Sequence, residues 1–278
     1  MIITIASGKG GTGKTTIATN LAMVLADKNV QLLDCDVEAP NSHIFLKPDM
    51  NESETVHIKV PQIDEEKCTL CGRCAEVCEY HAIGVFGKSV MVFPELCHAC
   101  GGCSLACPES AITEMDHPVG ELQRGRANGV DFITGTLNIG EAKATPVIGA
   151  VKDRIKPDTI TIVDAPPGTS CPVVETVRGS DYVLLVTEPT PFGLHDLNLA
   201  VEVMRKMSLP FGVVLNRSDM GDDGVEKFCQ NENIEILLRI PQRRDIAEAY
   251  SNGTLLIDAL PEYRDIFQRL YHDVEERV

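Results

Sequence analysis

The sequence predicts an α/β fold, a doubly wound and mostly parallel sheet with a small α+β module inserted into it. Three observations predict this. Short apolar runs, such as Ile2-Ile3-Thr4-Ile5, Val30–Asp34 and Ile160–Asp164, read as strands buried on both faces, with helix-like segments between them. Two of these runs end in carboxylates, at the strand ends where an open parallel sheet gathers its ligands. The pattern is interrupted once, from about Val56 to about Met115, and eight of the eleven cysteines fall in that interruption. The expected organisation is one α/β domain made of 1–55 and 116–278, with 56–115 as the insert.

The first strand runs into Ser7-Gly8-Lys9-Gly10-Gly11-Thr12-Gly13-Lys14-Thr15-Thr16, followed by a helix expected over Thr16–Ala26. Gly8, four residues and then Gly13-Lys14-Thr15 is the phosphate-binding loop pattern in its strand–loop–helix setting. The glycines let successive N–H groups turn onto an anion, and the helix N-terminus adds partial positive charge behind them. Lys14 is expected to reach the β- and γ-phosphates of ATP, with the Thr15 hydroxyl on Mg²⁺. The second predicted strand ends in Asp34 and Asp36, and both acids are expected to point at the phosphates.

Lys9 beside the first glycine gives the string KGGxGKT over residues 9 to 15, which resembles the MinD/ParA branch of P-loop ATPases. That resemblance implies that Lys9 crosses a dimer interface to the other subunit's phosphates, so that ATP closes a homodimer. It implies that Asp36, in switch I, positions the attacking water while Asp34 lies near Mg²⁺. Asp164 then holds Mg²⁺ through water, and Pro166-Pro167-Gly168 opens switch II with the Gly168 N–H free for the γ-phosphate. Asn216 contacts the base, with Arg217 and Pro241 beside it.

Within the insert, Cys68, Cys71, Cys74 and Cys78 form a C-x2-C-x2-C-x3-C run, repeated 29 residues on by Cys97, Cys100, Cys103 and Cys107. The repeat resembles a bacterial two-cluster ferredoxin. In that fold the fourth cysteine of each run serves the other cluster. The resemblance therefore assigns Cys68, Cys71, Cys74 and Cys107 to one [4Fe–4S] cube and Cys78, Cys97, Cys100 and Cys103 to the other. Gly72 and Gly101-Gly102 allow tight turns around them, Ile83 to Val92 reads as a hairpin, and Ile83 and Ile112 are expected to keep water away. Cys107 is followed by proline but Cys78 by Glu79, a departure from the ferredoxin pattern. Zinc ribbons pair two C-x2-C knuckles, which this duplicated spacing does not.

After the insert, strands are expected at Asp131–Leu137, Asp181–Glu188, Phe211–Leu215 and Ile236–Ile240. A helix is expected to open near Ala144-Thr145-Pro146, another to run from Phe192 to Met207, and two last ones to span Arg244–Ser251 and Glu262–Glu276. Cys171, seven residues after Asp164, matches a cluster-holding cysteine of the related nitrogenase iron protein but has no partner run, so packing is the expected role.

The net charge of −16, from 25 basic and 41 acidic residues, opposes binding to nucleic acid and to anionic membranes. The final helix ends in an acidic tail rather than the basic amphipathic anchor of MinD. No secretion signal or apolar span is visible, and the cysteine runs point to a reducing cytoplasm, as in an anaerobic organism. The expected function is an ATPase whose closure as a homodimer gates electron transfer from two [4Fe–4S] clusters to a redox or metallocofactor-protein partner. The alternative is a carrier or assembly ATPase for iron–sulfur or another metal cofactor. A MinD/ParA-type positioning role is the third reading, opposed by the acidic surface and tail.

Overall fold

A computed structural model describes residues 1–278. The chain begins β1 (Ile2–Ala6), α1 (Lys14–Val24), β2 (Val30–Asp34), α2 (Ser42–Leu46) and β3 (Asp49–Ile63). Short pieces follow: α3 (Arg73–Glu76), β4 (Ile83–Phe86), β5 (Ser89–Val92), a 3₁₀ turn at Pro94–Leu96 and α4 (Gly102–Ala106). Next come β6 (Ile112–Ala127), β7 (Val130–Leu137), α5 (Thr145–Lys152), β8 (Ile160–Asp164), α6 (Cys171–Val177), β9 (Tyr182–Thr187) and α7 (Pro191–Lys206). The chain closes with β10 (Phe211–Asn216), α8 (Gly224–Asn231), β11 (Ile236–Ile240), α9 (Arg244–Ser251), α10 (Leu256–Ala259) and α11 (Glu262–Glu275).

Nine strands form one sheet in the order β11-β10-β9-β1-β8-β2-β7-β6-β3. The seven from β11 to β7 are parallel, and β6 and β3 are added antiparallel at one edge. Successive strand residues face opposite sides, so one apolar run feeds two layers. Leu184 and Val186 pack with Ile17, Leu21, Phe267 and Leu270 on one face, while Val183 and Leu185 pack with Leu197, Val201 and Met204 on the other. Burial on both faces is why these strands read as unbroken apolar runs, and it confirms the parallel α/β class.

Several elements differ from the sequence expectation. Helix α1 starts at Lys14, two residues early, because Gly13 at its N-cap adopts a left-handed conformation (φ 99°) that turns the loop directly into the helix. Three helices, not two, follow β11. Helices α6 and α8 had no expected counterpart, and neither did the long antiparallel pair β3 and β6, which runs from Asp49↔Arg126 to Ile63↔Ile112. Positions 56 and 115 lie inside these two strands, and residues 64 to 111 join their far ends. No helix is long and apolar enough to cross a membrane.

Candidate functional site

The carboxyl ends of the central strands open onto a cavity of about 550 Å³. Gly10, Gly11, Gly13, Lys14, Thr15 and Thr16 line one side of it. Asp36, Asn216, Arg217 and Pro241 line the rest among the residues expected from sequence, with Tyr250 and Leu256 at the apolar end. Gly8, Lys9 and Thr12 lie outside the wall. A Cβ on Gly10 or Gly11 would meet nothing within 4 Å, so the loop is open at these two positions. Gly8 has a different reason to be glycine: a Cβ there would stand 2.3 Å from the Asp196 carbonyl oxygen, so its smallness lets α7 approach the loop.

Four ionisable groups meet beneath the loop. Burial lowers the Lys14 pKa, and Asp164, Asp36 and Asp34 partly restore it. Burial raises Asp164 and Asp34, each further raised by a neighbouring carboxylate, and it raises Asp36 as well. One lysine thus stands among three acids, an excess of negative charge that a divalent cation would relieve. The two buried acids are not equivalent. Asp34 Oδ1 accepts the Asp36 N–H (3.2 Å), and its Oδ2 accepts those of Asn41 (3.1 Å) and Ser42 (2.9 Å), so its carboxylate is spent on folding the switch I turn. Asp164 Oδ2 accepts from the Ser42 hydroxyl at 3.2 Å, but its Oδ1 is buried with no hydrogen-bond partner. An orphaned carboxylate oxygen beside Thr15 and Lys14 is the donor set that Mg²⁺ takes, an oxygen-only hard site. The residues fit the ion, with Asp164 and Thr15 nearer to that role than Asp34.

Two more residues named by the resemblance have partners within the chain. The Gly168 N–H is not free but donates to the Ser7 carbonyl at 3.0 Å, tying switch II to the phosphate loop. Asn216 Nδ2 donates to the Thr12 carbonyl at 2.8 Å and its Oδ1 accepts the Arg217 N–H at 3.0 Å, so its amide braces the loop from the cavity wall.

Sequence reasoning missed Glu188. It directly follows β9 at 7% exposure, with Oε1 accepting from Arg217 Nη1 at 2.8 Å and Oε2 standing 3.6 Å from Lys9 Nζ. Lys9 therefore rests against an acid of its own chain. The available signal was positional, since Glu188 is a third acid at the end of a buried parallel strand, after Asp34 and Asp164.

Away from this cavity the cysteines gather in two sets. Cys68, Cys71, Cys74 and Cys107 line one small cavity with Ile112, and Cys78, Cys97, Cys100 and Cys103 line another with Ile83. Each run lends its fourth cysteine to the other set. No three His, Cys, Asp or Glu side chains converge on a single-ion site. Backbone N–H groups already point at sulfur, Ala82 to Cys78 at 3.3 Å, Ala99 to Cys97 at 3.4 Å and Ala111 to Cys107 at 3.3 Å. Four thiols around a cavity, with N–H donors on their sulfurs, fit an iron–sulfur cube. Of the spare cysteines, Cys35 and Cys229 are buried, and burial pushes both thiols up, whereas Cys171 is exposed.

Residues 3–257 match the model of the CobQ/CobB/MinD/ParA nucleotide binding domain. An uncharacterized protein of Methanocaldococcus jannaschii is 32% identical over 99% of this chain and 97% of its own length. An iron-sulfur cluster carrier protein of Pyrococcus horikoshii is 25% identical over 99% of this chain and 86% of its own length. Among solved structures, the septum site-determining protein MinD of Pyrococcus horikoshii, complexed with Mg-ADP, has the same fold. It superposes with a TM-score of 0.62 at 20% identity, over 98% of this chain and 95% of its own.

Proposed function

The chain belongs to the CobQ/CobB/MinD/ParA nucleotide-binding family and is a P-loop ATPase, and we propose that it uses ATP to gate electron transfer from two [4Fe–4S] clusters to a partner protein. The observation that carries the reading is the crossed grouping of the eight cysteines around two cavities, in a segment spliced into the ATPase's own sheet through β3 and β6. In this reading 56–115 is a ferredoxin-type insert in an ATPase made of 1–55 and 116–278.

In this reading the site residues take the following roles. The N–H groups of Gly10, Gly11 and Gly13, with Lys14, bind the phosphates, and the lysine offsets the charge that develops as the γ-phosphate leaves. Thr15 and Asp164 hold Mg²⁺. Asp36, on the cavity wall, orients the attacking water. Lys9 leaves Glu188 and reaches the nucleotide of a second copy, so ATP closes a homodimer. The two cysteine sets hold the cubes, which when bound supply one-electron transfer. Ordering of the loops around Asp36 and Gly168 by nucleotide is the movement that the insert can sense. The acidic surface disfavours nucleic acid and membrane as partners.

The name of the Pyrococcus horikoshii relative favours a second reading, in which this chain delivers an iron–sulfur cluster to a recipient. The two readings separate in one anaerobic experiment. Reduced protein is followed by electron paramagnetic resonance with and without MgATP, first with an oxidised viologen dye and then with an apo iron–sulfur protein. Electron transfer is supported if ATP changes the rate of reoxidation while iron stays on the chain. Iron moving to the apo protein supports delivery, and indifference to ATP in both assays removes both readings.

A further inference from the structure

Glu141 and Lys143, on the loop between β7 and α5, are nearly out of water, with side chains 5% and 11% exposed. Lys143 Nζ stands 3.0 Å from Glu141 Oε1, an ionic contact outside hydrogen-bond alignment. Taking two charges out of water costs more than their attraction returns unless further hydrogen bonds complete them. Here they come from the cysteine segment. Lys143 Nζ donates to the carbonyls of Glu95 (2.7 Å) and Pro94 (3.3 Å), just before Cys97. The Pro94 carbonyl also accepts the Cys97 N–H at 3.0 Å, so one oxygen joins the lysine to the cysteine turn. His117 on β6 faces the pair from the other side, its Nε2 3.9 Å from Glu141 Oε2.

The same loop is tied to the nucleotide end. The Leu137 N–H donates to the carbonyl of Val37, the residue after Asp36, at 2.8 Å, and the Asn138 N–H donates to the Val119 carbonyl at 3.0 Å. Val37, Val163, Ala82 and Cys97 belong to one continuous apolar core, with Cys78 packed against it. None of Cys68, Cys71, Cys74 or Cys107 belongs to that core. The two cysteine sets therefore stand in different mechanical relation to switch I.

We propose that Lys143 is a positioning residue that holds the Cys97 turn against the switch I core, so that nucleotide state reaches the set Cys78, Cys97, Cys100 and Cys103 and not the other four. The proposal rests on the nucleotide-coupled iron–sulfur reading above. What it adds is the contact that transmits and the set that receives. Packed elements with discrete arrangements carry such coupling, and only a measurement of the coupling establishes it.

Hydrogen–deuterium exchange on the anaerobic, iron-loaded full chain, with and without MgATP, reads it directly. In the wild type MgATP is expected to change exchange over 93 to 103 by about threefold or more, and over 66 to 75 hardly at all. Lys143→Met is expected to erase the response while leaving ATP affinity unchanged. Because that variant strands a buried Glu141, the double variant Glu141→Leu with Lys143→Met removes both charges and is expected to behave alike. Lys143→Arg, which keeps the donors, is expected to retain the response. A full wild-type response in both charge-free variants, or an equal response of both cysteine sets in the wild type, overturns the proposal and leaves the coupled reading standing. No ATP response anywhere between 64 and 111 in the wild type overturns both.

Discussion

Around Lys14 the chain has spent its core: the central strands and the helices on both faces carry large buried apolar clusters, the phosphate loop is braced by Asn216 and by the Ser7–Gly168 bond, and Asp34 holds the turn beside it. Around the eight cysteines it has almost none. Between 64 and 111 only Cys74, Ala82, Ile83, Cys97 and Ala111 are buried, while Tyr80, Phe86, Met91, Leu96 and Leu105 lie exposed. A segment of that size cannot stand on so small a core unless something else holds it. The phosphate loop is held by the sheet's own contacts, whereas under the proposed reading the cysteine segment leans on its ligand and on the Lys143 contact.

The largest effect expected from this contrast is on removing iron. Chelation under anaerobic conditions should raise hydrogen exchange between 64 and 111 by about 10²-fold or more, because metal binding there is folding energy. ATP affinity should hold within about twofold, since the cavity's braces all lie outside the cysteine segment. Equal loss of protection in both regions would show that they share one source of stability.

The next effect asks whether each site is complete within one chain. Both cysteine sets are, but the nucleotide cavity leaves Lys9 outside its wall, against Glu188. Lys9→Ala should therefore abolish ATP-dependent dimerisation in sedimentation velocity. If that variant dimerises as the wild type does, Lys9 serves only its own chain.

The smallest effect compares two glycines. Gly8→Ala puts a methyl group into the α7 backbone and should cost about 2 kcal/mol. Gly72→Ala, with open space around it but φ at +82°, should cost about 1 kcal/mol through backbone strain alone. Thermal unfolding of the two variants measures both, and a larger loss at Gly72 would mean that the cysteine turns are packed more tightly than the phosphate loop.

Much of this was legible in the chain because it is local. A phosphate loop is ten consecutive residues, a parallel strand buried on both faces is a continuous apolar run, and three of the four cysteines in each set sit within seven residues of one another. The long strands β3 and β6 were legible only in part. Val56, Ile58 and Val60 alternate with His57 and Lys59, which is a strand signal. Asp49 to Thr55 is exposed and polar apart from Met50, as one end of an edge strand is, and carries no such pattern.

By itself the sequence determined which chemistry is present: a phosphate loop with its lysines, acids at strand ends, and two cysteine runs, because each is a matter of residue type and short spacing. Only the tertiary structure decided how these parts are held. It set Glu188 against Lys9 and Arg217, left one oxygen of Asp164 without a partner while using up those of Asp34, and joined Lys143 to the turn before Cys97. Such contacts link residues far apart in the chain, and they exist only where burial makes a charge or carbonyl seek its partner across the fold.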